Sequence, residues 1–285
     1  LSLGRGGPPP SRFLSPAPFH ADRPRASRIV FMRKRAIALV LALAAFYGGV
    51  KLAHAYQRST LGWVADACAV NAALTSLPFP CLHVGHLPGD LGGYAILREP
   101  IDRRRTILVA LSAIRGIEDP RLLGRDAPNF FEAAWAQRHW LLDPAQAEPT
   151  PSGFALGINS HRSRSQDRLH IHMGCLVPKA AKALAEAAGR LGTGGFKPLG
   201  FTIHGRKLWA MRVDAGAIAD FNPFAILAAK MPGARTAMGE HLLFVVPERL
   251  ADGRRTFVLL TNPVGRRTDT FFPVEFMLEP NCRGR

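Results

Sequence analysis

The chain has 285 residues, a formal net charge of +16 and a hydrophobic content of 47%. That length allows one large domain or two small ones, and the apolar content excludes a largely disordered chain. A basic field suits anionic partners such as phosphates, nucleotides or anionic headgroups. No helix-turn-helix pattern, zinc-finger spacing or aromatic RNA-binding motif accompanies it, so nucleic acid is not the expected partner.

Residues 1–31 are rich in Gly, Pro, Ser and Arg and lack apolar periodicity, which predicts a disordered segment or an over-extended start before Met32. Residues 1–55 carry nine Lys or Arg against the single acid Asp22, so half of the net charge sits there. "MRKR" at Met32 precedes the uncharged run Ala36 to Val50, and "AHA" at 53–55 has the small-x-small form of a cleavage site. Residues 32–56 are therefore expected to be a signal peptide or a membrane anchor. Either reading puts residues 57–285 outside the cytoplasm. The expected location is the inner membrane with the domain facing the periplasm, or the periplasm after cleavage. The four cysteines, Cys68, Cys81, Cys175 and Cys282, fit an exported chain with two disulfides. Cys68 with Cys81 is the local choice, and Cys175 with Cys282 would then tie a central strand to the C-terminus.

Along the rest of the chain, 57–76 reads as a helix. "YAILR" (94–98) and "TILVAL" (106–111) read as a hairpin joined by "EPIDRRR", whose arginines 103–105 are a charge run at a solvated tip. "NFFEAAWAQRHWLL" (129–142) reads as one helix, capped by Asn129. "GFALGIN" (153–159) and "RLHIHMGCLV" (168–177) read as two antiparallel strands around the loop "SHRSRSQD". Pro178 opens an Ala-rich helix that Gly192 is expected to end. "KLWAMRV" (207–213) is a strand, with His204 and Arg206 in a surface turn before it. Residues 215–230 are partly helical and interrupted by Pro223, and a hairpin from 241–247 and 255–261 follows. Strands and helices mix without strict alternation, which predicts α+β with an antiparallel sheet and packed helices.

The chemistry concentrates in "SRSQDRLHIHMGC" (163–175). On a strand Arg168, His170 and His172 would share one face, while Leu169, Ile171 and Met173 point to the core. Same-face neighbours lie ~6.6 Å apart, a spacing that suits successive oxygens of a diphosphate. Two histidines on the solvated face of an amphipathic strand explain the same pattern. His-x-His can also be half of a metal site, but no further ligand set stands out, so no metal is expected. The neighbouring Asn159, Ser165 and Gln166, with Arg162, Arg164 and Arg168, supply the donors of an anion cradle.

These residues resemble a known family. "HIHMGC", with "INS" and "SQD" upstream, is similar to the histidine-triad (HIT) signature. The ordered segments "GIEDP", "PNFFEAAWAQR", "LGINSHRSRSQDRLHIHMGC", "HGRKLWAMRV", "NPFAIL" and "PGARTAMGEHLLFVV" resemble CDP-diacylglycerol pyrophosphatases of the HIT-like superfamily over residues 57–285. The four cysteines stand where that family carries them. The resemblance implies hydrolysis of CDP-diacylglycerol to CMP and phosphatidate in phospholipid metabolism. It also implies a lipid-linked nucleotide substrate, a membrane surface as partner, and no cofactor. His170 would be the nucleophile, His172 a phosphate contact and Asn159 the residue orienting the nucleophile. Ser165, Gln166 and Arg168 would bind substrate. Arg168 departs from the signature, standing where the first histidine is expected. Two alternatives stay open: a HIT-like transferase or hydrolase acting on another nucleotide, and a non-catalytic nucleotide- or lipid-binding protein.

Overall fold

A computed structural model describes residues 25–98, 105–141, 153–262, 272–279 and Cys282. Of residues 1–31, expected to be a disordered segment or an over-extended start, 1–24 lie outside the described residues, as do the tip arginines 103 and 104. The chain divides into two compact units, Leu1–His54 and Ala55–Arg285. The described part of the first is helical and belongs to α1, Arg25–Thr75. Among the described residues no helix is long and apolar enough to cross a membrane. This overturns the expected membrane anchor, the inner-membrane location and the periplasm-facing topology. The physical reason lies in the run Ala36 to Val50. Fifteen residues separate Arg35 from Lys51, and five are Ala and two are Gly. Such a run is ~22 Å long as a helix, against a hydrocarbon core of ~30 Å, and charged residues stand at both of its ends.

The second unit is α+β and built on an antiparallel sheet. Its strands are β1 (His83–His86), β2 (Gly93–Arg98), β3 (Thr106–Ala110), β4 (Phe154–Ile158), β5 (His170–Leu176), β6 (Lys197–Ile203), β7 (Arg206–Val213), β8 (Leu243–Arg249), β9 (Arg255–Thr261) and β10 (Leu278–Glu279). They run in the order β1-β2-β3-β5-β4-β8-β9-β7-β6, with β10 added beside β5. The apolar runs that predict β2, β3, β4, β5, β8 and β9 are central strands, covered on both faces. Two edge strands escape that reading. β1 is four residues inside a Pro-rich stretch, and β6 is half-exposed and carries Pro198 and Gly200, with a register shift between Pro198 and Thr202. The β6–β7 turn places His204 at φ 48° and Gly205 at φ 73°, the left-handed pair a two-residue hairpin needs.

The helices show where local chemistry sets boundaries. α2 is Phe130–Ala136 and ends well before Leu142, and 138–141 continue as a 3₁₀ turn. Asn129 caps it by accepting from the Glu132 N–H at 3.2 Å. α3, Pro178–Ala188, starts on its proline but stops at Gly189 rather than Gly192. Pro223 opens α4, Pro223–Lys230, instead of interrupting a helix. Asn222 accepts from Phe224 and Ala225, so the Asn-Pro pair is a start signal.

The sheet separates its side chains by parity. One face carries Ile96, Leu108, Leu156, Ile171, Met173 and Val245 into a core shared with Phe130, Phe131 and Phe224. The opposite face holds two separate apolar clusters. Leu61, Ala65 and Cys68 of α1 cover Ala95, Leu97, Ile107 and Val109. Leu184 and Ala188 of α3 join Ala155, Phe244, Val246 and Val258. His170 pairs with Val109, and His172 pairs with both Ile107 and Gly157. Cross-strand partners share a face, so the two histidines stand on the strip of sheet between these clusters. They are buried, at 7% and 3% exposure, which removes the solvated-face explanation of the pattern.

Candidate functional site

His170 and His172 project from β5 with ring centroids 5.0 Å apart, in an edge-to-face arrangement. His170 Nδ1 lies 2.7 Å from the carbonyl oxygen of Arg168. A carbonyl only accepts, so Nδ1 carries the proton and Nε2 of the neutral ring keeps its lone pair. Burial lowers the His170 pKa below the ordinary imidazole value, and its backbone hydrogen bond opposes that only in part. Near neutrality His170 is therefore an uncharged ring of fixed tautomer with an unprotonated Nε2.

Asn159 follows β4 and lies beside His172 rather than His170. Its Nδ2 is 3.4 Å from His172 Nε2 and donates to Glu275 Oε2 at 3.0 Å, while its Oδ1 accepts the Val274 N–H at 2.8 Å. Glu275 Oε1 in turn lies 3.4 Å from His172 Nε2. Burial lowers the pKa of His172 and the Glu275 charge acts against it. Burial alone would raise the Glu275 carboxyl, but His172 and the Asn159 donor outweigh it and hold Glu275 below its ordinary value.

Glu275 belongs to the 3₁₀ turn Val274–Met277, which leads into β10. Three features seat this segment. β10 pairs Leu278 with Leu176 and Glu279 with Cys175. Cys175 is bonded to Cys282, and Cys68 to Cys81. Gly157 lies where a Cβ would fall 2.7 Å from Phe244 Cε1 and 3.1 Å from Val274 Cβ, so only its bare backbone lets Val274 settle on the sheet. Sequence reasoning missed Glu275. The available signal was the Cys175–Cys282 pairing, which brings a C-terminal acid to the histidine strand.

A small cleft opens beside His172, lined by Arg105, Thr106, His172, Met173, Glu275 and Glu279 among others; His170 does not line it. Arg105, read from sequence as part of a hairpin tip, is the cation at this cleft. Among the described residues no group of three His, Cys, Asp or Glu side chains is placed to hold a metal ion.

The loop arginines do not form the expected cradle, because each meets an acid from elsewhere in the chain. Arg162 binds Glu240 at 2.6 Å. Arg164 is 8% exposed and binds Glu118 at 2.6 and 2.7 Å and Asp167 at 3.1 Å. Asp167 also pairs with Arg58 of α1, and these guanidinium hydrogen bonds hold its carboxyl far below the usual range. Arg168 gives its guanidinium to the Leu111 and Ser112 carbonyls at 2.6 and 3.0 Å and to Asp66 of α1. It braces α1 against the turn after β3; Gly62 leaves the room it occupies. Gln166 bridges the same helix, accepting from the Leu61 N–H and donating to the Gln57 carbonyl. Ser165 is exposed. The polar loop thus fastens the start of β5 to α1, and the histidine pair meets Asn159 and Glu275 instead.

The sequence model of the CDP-diacylglycerol pyrophosphatase family matches residues 58–284. The chain belongs to this family. A CDP-diacylglycerol pyrophosphatase of Yersinia pestis is 30% identical over 220 residues, covering 77% of this chain and 82% of the relative. Membership makes the chain a pyrophosphatase-family hydrolase and is consistent with the HIT-like fold class.

Proposed function

We propose that this protein hydrolyses the diphosphate of CDP-diacylglycerol to CMP and phosphatidate through a nucleotidyl-histidine intermediate on His170. The observation that carries the reading is the 2.7 Å contact from His170 Nδ1 to the Arg168 carbonyl. It holds the ring in the tautomer whose Nε2 can attack phosphorus. In the first half-reaction Nε2 bonds to the cytidine-side phosphorus. The bond from that phosphorus to the bridging oxygen breaks, and its electron pair leaves with phosphatidate. A phosphate monoester leaves as a stable anion, so it needs little protonation. In the second half water attacks the phosphorus, the nitrogen–phosphorus bond breaks, and the pair returns to Nε2.

His172 stands next to the attacking ring, where an imidazole can meet a phosphoryl oxygen. Arg105 at the cleft offers positive charge to the diphosphate. The acyl chains of the substrate keep it in a lipid surface, so the enzyme would work on lipid presented at such a surface.

The test is CMP release from CDP-diacylglycerol by wild type and by His170→Ala. The expected result is loss of at least ~10³-fold in kcat for the variant. Unchanged turnover would remove His170 as the nucleophile. Parallel assays with a soluble dinucleotide separate a lipid-linked substrate from another nucleotide substrate.

A further inference from the structure

A carboxylate beside a site for a diphosphate repels the ligand, and Glu275 is such a group. Its position is not an accident of a loose terminus. Asn159 engages both Val274 and Glu275, and its two contacts fix which end of its amide faces the carboxylate. The Phe272 N–H donates to Ser163 Oγ at 3.1 Å, anchoring the segment before Val274. β10 and the Cys175–Cys282 bond hold it after Met277. The result is one carboxylate with Oε2 bound to Asn159 and Oε1 directed at His172.

The charged groups around His172 make the purpose of this arrangement legible. His170 stands on the same strand and Arg105 at the start of β3; both disfavour a positive ring. Glu279 lines the cleft from β10. Glu275 is the carboxylate that reaches the His172 ring. In a water-poor pocket an imidazole takes on a proton only with a counter-charge at hand.

We infer that Glu275 is a positioning residue for the hydrolysis proposed above: it orients His172 and supplies the counter-charge for its imidazolium. The inference rests on that reaction for its use, but the Glu275–His172 relation can be measured without turnover. During the reaction a proton released from the attacking water can then reside on His172, and the Glu275 charge stabilises it there. The arrangement follows the general logic of a base oriented by a third group.

The experiment combines kinetics with imidazole NMR on the full chain. Glu275→Gln keeps the shape and removes the charge. It is expected to lower kcat about tenfold to a hundredfold with little change in KM, and to move the His172 titration to lower pH. Glu275→Asp is expected to restore part of both. Cys282→Ser, which frees the end of the segment, should give the same two changes in smaller degree. An unmoved His172 titration in Glu275→Gln overturns the inference whatever happens to kcat. A moved titration with wild-type kcat also overturns it. Because the titration needs no substrate, failure to turn over CDP-diacylglycerol counts against the proposed reaction and leaves the NMR result to decide this relation.

Discussion

His170 Nδ1 and the Arg168 carbonyl oxygen are 2.7 Å apart, and this contact between residues two apart in sequence fixes the reactive edge of the ring. The Arg168 side chain points its guanidinium elsewhere, to Leu111, Ser112 and Asp66. Arg168 thus acts through its backbone on His170 and through its side chain on the fold. Arg168→His is therefore expected to lose stability by about 1–2 kcal/mol, from the lost carbonyl contacts and ion pair, while His170 keeps its tautomer. Chemical denaturation and imidazole NMR of His170 check the two halves separately.

Burial sets the pH dependence. His170 must be neutral to attack, and its pKa lies below the ordinary 6.5 because the charged ring is desolvated. The neutral fraction grows as pH rises through the pKa, so a lowered pKa keeps the nucleophile competent in mild acid. The acidic limb of kcat/KM is expected below pH 6.5. A profile whose limb lies at or above that value contradicts this burial argument.

Arg164 holds the loop before β5 by pairing with Glu118 and Asp167. Removing buried Arg164 leaves the half-buried Glu118 carboxylate without this partner and Asp167 with Arg58. Arg164→Ala is expected to cost about 3 kcal/mol in unfolding by urea. The Asp167 carboxyl is held far below its usual range by Arg58 and Arg164. The stability it contributes is fully present above its unfolded pKa and is lost as pH falls through the folded one. The Arg164→Ala deficit should accordingly shrink below about pH 4.

Glu248 on β8 is 1% exposed, and burial pushes its pKa up to about 8. Its Oε1 has no hydrogen-bond partner among the described residues. In the unfolded chain the group ionises near its ordinary 4.5, so between there and pH 8 the folded state binds the extra proton. Stability therefore falls as pH rises across that window. Glu248→Gln should raise the unfolding free energy at pH 8 by on the order of 2 kcal/mol, with a higher Tm, and the gain should vanish near pH 4. Thermal melts of both proteins at several pH values check the sign.

Gly157 faces His172 across the β4–β5 pairing and leaves room for Val274. Gly157→Ala is expected to cost about 1–3 kcal/mol of stability and to move Val274 off the sheet. Glu275 moves with it, so kcat should fall more than a surface control of equal stability loss would explain. Kinetics at a temperature where both variants are fully folded make that comparison.

The sequence made the strand pair β4–β5 readable because Leu169, Ile171 and Met173 alternate with the histidines, and the apolar runs of β8 and β9 were equally clear. It hid β6, where Pro198, Gly200 and exposed positions erase the alternation. The short β1 left too little pattern to read. The loop arginines misled for a different reason. Their acids, Glu118, Glu240 and Asp66, are distant in sequence, so a paired structural network looked like an open cationic cradle. Glu275 was hidden likewise, one of two acids in an apolar tail whose place depends on a disulfide and two added β-pairs. The uncharged run at Ala36 looked like a span because basic residues precede it and no charge interrupts it, but only fifteen residues separate Arg35 from Lys51.

The central claim is covalent catalysis by His170, and trapping the intermediate tests it most directly. Wild type mixed with CDP-diacylglycerol and quenched under alkaline conditions should carry a cytidylyl adduct on the peptide containing His170 by mass spectrometry. The adduct should be absent from His170→Ala. Rapid CMP production with no adduct on His170 at any quench time, or an adduct on another residue, would contradict the account.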